Sequence, residues 1–387
     1  MDQDYSNTPI NMNGAPAPHN VPTNLTYIQP APYGPPAFWK ILLKDLLVTV
    51  VGVVILGFFL VLVPLLALGV CVGGCVALNK MDSPDFVETV IGGSEDAVQK
   101  VVVLPLDGVI ESDSADGSSF WTKALKDVKE DADVKALVLR IDSPGGTVSG
   151  SAYYHRLIKQ LKEEKKIPIV VSMGDMTCSG GYYISMAADE LVAEPSTWTG
   201  SIGVICSLVN AAELCKKVGV SSNAITSGPM KGMGSVMKEP TEEENAVWQA
   251  LVDDSYEQFL SVVRDGRPWF RAEDVEDENE RAKVAAERDA ELRKIADGRV
   301  YSANQALERR LIDKIGYLDD TIDVAIERAK LNKDAVRVVV YKEPDSLLSA
   351  LGVDAKAKKE PLEKAVDAVG TISTPKAYYL CPNALPL

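Results

Sequence analysis

Histidine is nearly missing from this chain: among 387 residues there are only His19 and His155. A serine hydrolase with a histidine base would therefore have to use His155, because His19 falls in a stretch rich in Pro, Asn and Ala. His155 lies beside Arg156 and Lys159 on an expected amphipathic helix beginning near Ser149, so a solvated face is its expected place. Cysteine is sparse too. The six cysteines form no CxxC, and Cys71 and Cys75 lie inside an apolar run, so the pattern supports neither a zinc site nor a dense disulfide framework. A Cys206–Cys215 bridge is permitted but not required. Positive charge is in deficit, with 40 Lys and Arg against 55 Asp and Glu and a formal charge of −15. That surface argues against a nucleic-acid partner. No Gly-Lys-Ser/Thr stands at a strand-to-helix junction, so the glycine-rich loop Ser227 to Ser235 is not a phosphate cradle.

What is present begins with an apolar run. Leu46 through Leu78 contains no charged residue, and roughly 20 residues suffice to cross a bilayer as a helix. This predicts one transmembrane anchor within residues 38–80. The preceding residues 1–37 have no Lys or Arg and no periodicity, the pattern of a disordered tail. Lys40 and Lys44 flank the run on its N-terminal side, so the positive-inside rule puts the tail in the cytoplasm and the rest of the chain outside the cell membrane.

Beyond an expected linker at 81–98, short β-branched runs alternate with amphipathic stretches. Strands are predicted at Val101 to Leu106, Ala136 to Ile141, Ile167 to Val171, Leu191 to Ala193, Ser222 to Thr226 and Val336 to Val340, and helices at Trp121 to Glu130 and from Ser149 to Leu161. Thr241 to Glu244 reads as a capping box opening a further helix. Residues 271–294 are mostly charged, a solvated helix or an insert, Tyr301 to Ile326 reads as helical with a break at Gly316, and 343–387 form a weakly patterned tail. The rhythm predicts an α/β fold over residues 99–342, with parallel strands covered by helices. In such sheets the loops at the carboxyl ends of the strands share one crevice.

Two glycine turns follow strands directly: Asp142-Ser-Pro-Gly-Gly146 and Cys178-Ser-Gly-Gly-Tyr-Tyr183. The second puts Ser179 at a helix entrance, with glycines that let a substrate backbone come close. A serine hydroxyl needs a base to become a nucleophile at neutral pH. With histidine nearly absent, the choices are a carboxylate or a lysine kept dry and without a counter-ion. Lys231, flanked by Met230, Gly232 and Met233, suits the second role.

Those two turns, Thr199-Gly-Ser-Ile-Gly-Val204 and Ser227-Gly-Pro-Met-Lys-Gly-Met-Gly-Ser235 occur in an order and at spacings that resemble the signal peptide peptidase A family of membrane-anchored Ser-Lys proteases, over about residues 98 to 342. The motifs occur once, as in the single-repeat form. The resemblance implies a ClpP/crotonase-like fold, with Ser179 as nucleophile, Lys231 as general base, Ser201 orienting the lysine, and the backbone N–H groups of Gly146 and Gly180 forming an oxyanion hole. It implies no cofactor and no metal. The implied partners are hydrophobic peptides, remnant signal peptides among them, together with the lipid bilayer and further copies of the chain in a ring or dome whose neighbours share a site. Cys178 is an alternative nucleophile, although the glycine pair frames Ser179 better. Two rival readings keep the fold: a crotonase-type acyl-CoA enzyme and a catalytically silent membrane scaffold.

Overall fold

The apolar stretches 101–106 and 136–139, inside the strands Lys100–Asp107 and Val134–Ser143, are what strands buried on both faces require. The computed structural model describes residues 46, 49–51, 58, 85–111, 119–344 and 377–380. The chain divides into residues 1–78 and 79–387. In the first unit the described residues are helical. Among the described residues no helix is long and apolar enough to cross a membrane. The tail at 1–37 and most of the run read as an anchor lie outside them.

The second unit begins with β1 (Val87–Gly93), β2 (Lys100–Asp107), α1 (Phe120–Glu130), β3 (Val134–Ser143), β4 (Gly145–Thr147), α2 (Val148–Lys165), β5 (Ile169–Cys178) and α3 (Gly180–Ser185). There follow β6 (Glu190–Ala193), β7 (Trp198–Gly200), β8 (Ile205–Cys206), α4 (Ala212–Val218), α5 (Glu242–Gly266) and α6 (Glu278–Ile295). The series ends with β9 (Val300–Ser302), α7 (Ala303–Glu308), β10 (Lys314–Ile315), α8 (Leu318–Arg328), β11 (Arg337–Lys342) and β12 (Ala377–Leu380).

The large sheet runs β1-β11-β2-β3-β5-β6-β10, parallel from β11 to β10, with β1 antiparallel at one edge. Strand alternation sorts its side chains into two layers. Val101, Val103, Ala136, Val138, Val170 and Val192 face Ile322, Ala325 and Ile326 of α8. Val102, Leu104, Leu137, Leu139, Val171 and Met173 face the opposite core, where α1 contributes Trp121 and Leu125, α2 contributes Ile158 and Leu161, and α5 contributes Phe259 and Val263. Each fully buried aliphatic side chain contributes on the order of 1.5–3 kcal/mol by leaving water. The mixed α/β architecture with a large sheet is thus the one expected.

Several local expectations are corrected. The presumed linker 81–98 contains β1, which finds a partner in β11. Ser222 to Thr226 is exposed and makes no strand, because no sheet edge receives it. The Tyr301–Ile326 segment is β9, α7, β10 and α8 rather than one broken helix. Of the two readings of the charged segment 271–294 the helix is the one found: it folds as α6, tied down by Arg264–Asp289 (2.6 Å) and Arg293–Asp289 (3.0 Å), with Leu292 buried. Cys206 and Cys215 stay unbridged. Finally, four residues of the presumed tail form β12.

Candidate active site

The crevice lies where β3, β5 and β7 end. β5 continues past its pairing with β6 to pair with β7, Cys178 opposite Gly200. Thr199 Oγ1 donates to Thr177 O (2.6 Å) and Thr177 Oγ1 to Ile141 O (2.7 Å), so threonine hydroxyls join the three strand ends. Ser179 follows at φ 52° and ψ −109°, and is fully buried. Its N–H donates to Gly200 O at 2.8 Å, while its own carbonyl accepts from Tyr183 N at 2.8 Å and opens α3. Its Oγ is buried without a hydrogen-bond partner among the described residues.

Ser201 stands one residue beyond Cys178's partner Gly200, 3% exposed, at φ 48°, with its N–H donating to Arg299 O at 2.9 Å. A non-glycine residue at positive φ is strained. Among the described residues Lys166, Ala272, Arg310 and Lys330 share that property, but they lie at or just past helix C-termini, where a left-handed residue ends a helix. Ser179 and Ser201 end no helix, so surrounding structure imposes their conformations, a cost commonly met at functional sites.

Gly146 and Gly180 meet. A Cβ on Gly180 would lie 3.0 Å from Gly146 N and collide with Ser151 Oγ, and one on Gly146 would collide with the backbone of Ile110. Gly145 adopts φ 112°, open only to glycine. Within β4, Gly145 N donates to Ser143 Oγ (3.1 Å) and Thr147 N to Ile110 O (2.8 Å), which leaves Gly146 N as the amide turned toward the crevice. The Gly180 amide is the first of α3 and has no acceptor within the helix. The crevice therefore presents two amides side by side next to a hydroxyl.

Sequence reasoning missed Ser151 and Tyr379, which bound this space. Ser151 is fully buried, donates its hydroxyl to Thr147 O (2.9 Å) and limits residue 180 to glycine. A small residue one turn past the helix-capping Thr147 was the only signal. Tyr379 gave none.

Lys231 lies in a short 3-10 helix, Pro229–Gly232, and is exposed in the single subunit. The subunit alone does not supply the dry surroundings expected for it, and no hydrogen bond links it to Ser179. His155 is displaced the other way. It is half-buried, edge-on to Tyr183 with ring centroids 5.3 Å apart, and burial, with Lys159 nearby, lowers its pKa to about 4. Cys178 is buried, with its thiol toward Trp198 O at 3.4 Å. A carboxylate trio that a cation could bridge, Glu88, Asp127 and Asp131, is partnered from within: Lys100 pairs with Glu88 (2.7 Å) and Asp131 (2.6 Å), and Tyr341 donates to Asp127 (2.7 Å).

Comparison with known proteins agrees with the motifs. The model of peptidase family S49 matches residues 161–282 and 281–332. A putative protease of Synechocystis is 38% identical over 253 residues, 65% of this chain and 83% of that protein. A putative signal peptide peptidase SppA of Enterococcus faecium is 36% identical over 255 residues, covering 63% and 67% of the two chains. Protease 4 of Salmonella typhi is 33% identical over 217 residues, but they make up only 32% of its length. With a relative this similar matched over most of its length, the chain belongs to peptidase family S49.

Proposed function

We propose that the chain is a membrane-anchored serine endopeptidase of ClpP/crotonase-like fold that cuts hydrophobic peptides, remnant signal peptides included. The observation that carries this reading is Ser179: buried, held at positive φ, its Oγ without a partner, beside the amides of Gly146 and Gly180. Ser179 Oγ attacks the peptide carbonyl while Lys231 Nζ takes its proton, and Ser201 orients the amine. The two amides hold the developing oxyanion, each such donor being worth about 10²–10³ in rate. Lys231 then protonates the leaving amine, and water, deprotonated by the same amine, releases the acyl group.

The lysine must be dried by a neighbouring subunit. Leu214, Val218, Val220 and Ile225, all exposed and the last at 96%, precede its loop, and a cavity of about 510 Å³ separates that loop from α4. Apolar exposure on this scale supports a covering copy of the chain in a ring or dome. On this reading residues 1–37 are cytoplasmic and the peptidase unit faces away from the cytoplasm.

The test is cleavage of a hydrophobic leader peptide by Ser179→Ala, by Lys231→Ala and by a remixed pair of the two. Each variant alone is expected to be inactive, and, with Lys231 serving the serine of the neighbouring copy, the mixture is expected to recover activity. The roles are misassigned if either substitution leaves cleavage intact.

A further inference from the structure

Ser201 leaves β7 at a positive φ that a serine does not adopt by itself, so its surroundings must hold it there. β9 runs antiparallel beside β7, with Gly200 opposite Val300 and Thr199 opposite Tyr301. Past the end of that ladder two further backbone bonds reach the turn formed by residues 297–299. Ser201 N donates to Arg299 O at 2.9 Å, and Gly298 N donates to Ile202 O at 3.0 Å. The approach is close, since a Cβ on Gly203 would lie 3.3 Å from Gly298 Cα. Where the Arg299 carbonyl stands therefore sets the conformation of Ser201.

That carbonyl is fixed in turn by a side chain. Arg299 Nε donates to Asp297 Oδ1 at 2.7 Å and to Oδ2 at 2.9 Å, its Nη2 pairs with Oδ2, and the Arg299 N–H donates to Oδ1 at 3.2 Å. The carboxylate thus closes an Asx turn over Gly298, at φ 88°, and grips the guanidinium that follows. Behind the turn, Tyr256 Oη donates to Ala296 O (2.7 Å) and Tyr301 Oη to Ile295 O (2.8 Å), which root it on α5 and on the end of α6. The Asp297 and Arg299 side chains are themselves 40% and 62% exposed, and an ion pair so placed contributes little to stability. What this geometry does is hold a backbone.

We propose that Asp297 is a positioning residue: by clamping Arg299 it holds Ser201, and with it the hydroxyl that orients Lys231. The proposal rests on the peptidase reading above, in which Ser201 serves the base. Displacing a catalytic group by about 1 Å can cost about 10²-fold in rate. An exposed carboxylate outside the core is in this way coupled to the chemical step.

The test uses the full chain and a hydrophobic leader peptide. Asp297→Ala should lower kcat by about ten- to a hundredfold and leave KM within about twofold, because the base is displaced and the seat of the peptide is not. Asp297→Asn still accepts the Arg299 N–H and should fall between the two. Tm should drop by no more than about 3 °C; a larger drop would make the residue structural and overturn the assignment. Equal kcat in the wild type and Asp297→Ala, with cleavage still lost in Ser179→Ala, overturns the positioning role and leaves the peptidase standing. A second readout needs no catalysis. In the Ser179→Ala chain, Asp297→Ala should speed hydrogen exchange at the Ser201 amide about tenfold or more, with Asp297→Asn intermediate and the Leu139 amide of β3 unchanged. Unchanged exchange at Ser201 overturns the assignment even if no peptide is cut.

Discussion

The N–H of Ser179 donates to the carbonyl of Gly200 at 2.8 Å, one residue before Ser201, so both strained serines hang from the β5–β7 pair. Neither turn can relax without pulling on the other. Residues far apart in sequence are in this way held to one geometry.

Ser179→Ala is expected to abolish cleavage, by about 10³-fold or more, without destabilising the fold. The hydroxyl is buried with no partner among the described residues, and removing an unsatisfied polar group is neutral or favourable. Thermal unfolding should show an unchanged or slightly raised Tm, and a fall of several degrees would contradict the orphaned Oγ.

Gly180→Ala should cost roughly 1–3 kcal/mol, because the new methyl meets Ser151 Oγ. Adding Ser151→Ala removes the colliding atom and should return most of that stability. Activity should stay low in the double variant, since the methyl still lies 3.0 Å from Gly146 N. Urea unfolding together with peptide cleavage separates the two effects.

His155 predicts a pH dependence of known sign. Its pKa falls from 6.5 to about 4 in the folded chain, so the unfolded chain binds the extra proton. The neutral form's stabilisation is present in full above pH 6.5 and is lost as pH falls toward 4, by about 3 kcal/mol. His155→Phe, still able to pack on Tyr183, should remove that part of the slope when unfolding free energies are compared at pH 4, 5, 6 and 7.

Lys100 is 8% exposed between Glu88 and Asp131. Lys100→Met strands both carboxylates beside Asp127 and should destabilise by about 3–5 kcal/mol. Glu88→Gln in the same chain should recover part of the loss in a denaturant titration. Equal stability of the wild type and Lys100→Met would mean that the pair is solvated.

The glycine turns were legible because their chemistry is local. Gly145 at φ 112° and Gly146 against Ile110 admit no other residue, so the motif itself records the geometry. The parallel core was legible from its β-branched runs for the same reason. β12 was not, since Ala-Tyr-Tyr-Leu is too short for a pattern and becomes a strand only between β4 and β8. His155 was misplaced because it borders the stripe formed by Tyr154, Ile158 and Leu161, and Tyr183 arrives from another element to cover it. Conversely, Ser222 to Thr226 offers only Ile225 and Thr226 as strand formers and finds no strand to pair with among the described residues.

The seating of β12 bears on how reactive sites are counted. Ser179 is fully buried and β12 pairs with the neighbouring β4, so labelling by a covalent titrant should level off at a rate set by local opening, however much reagent is added. A brief titration would then find fewer reactive serines than there are chains, with every chain correctly folded.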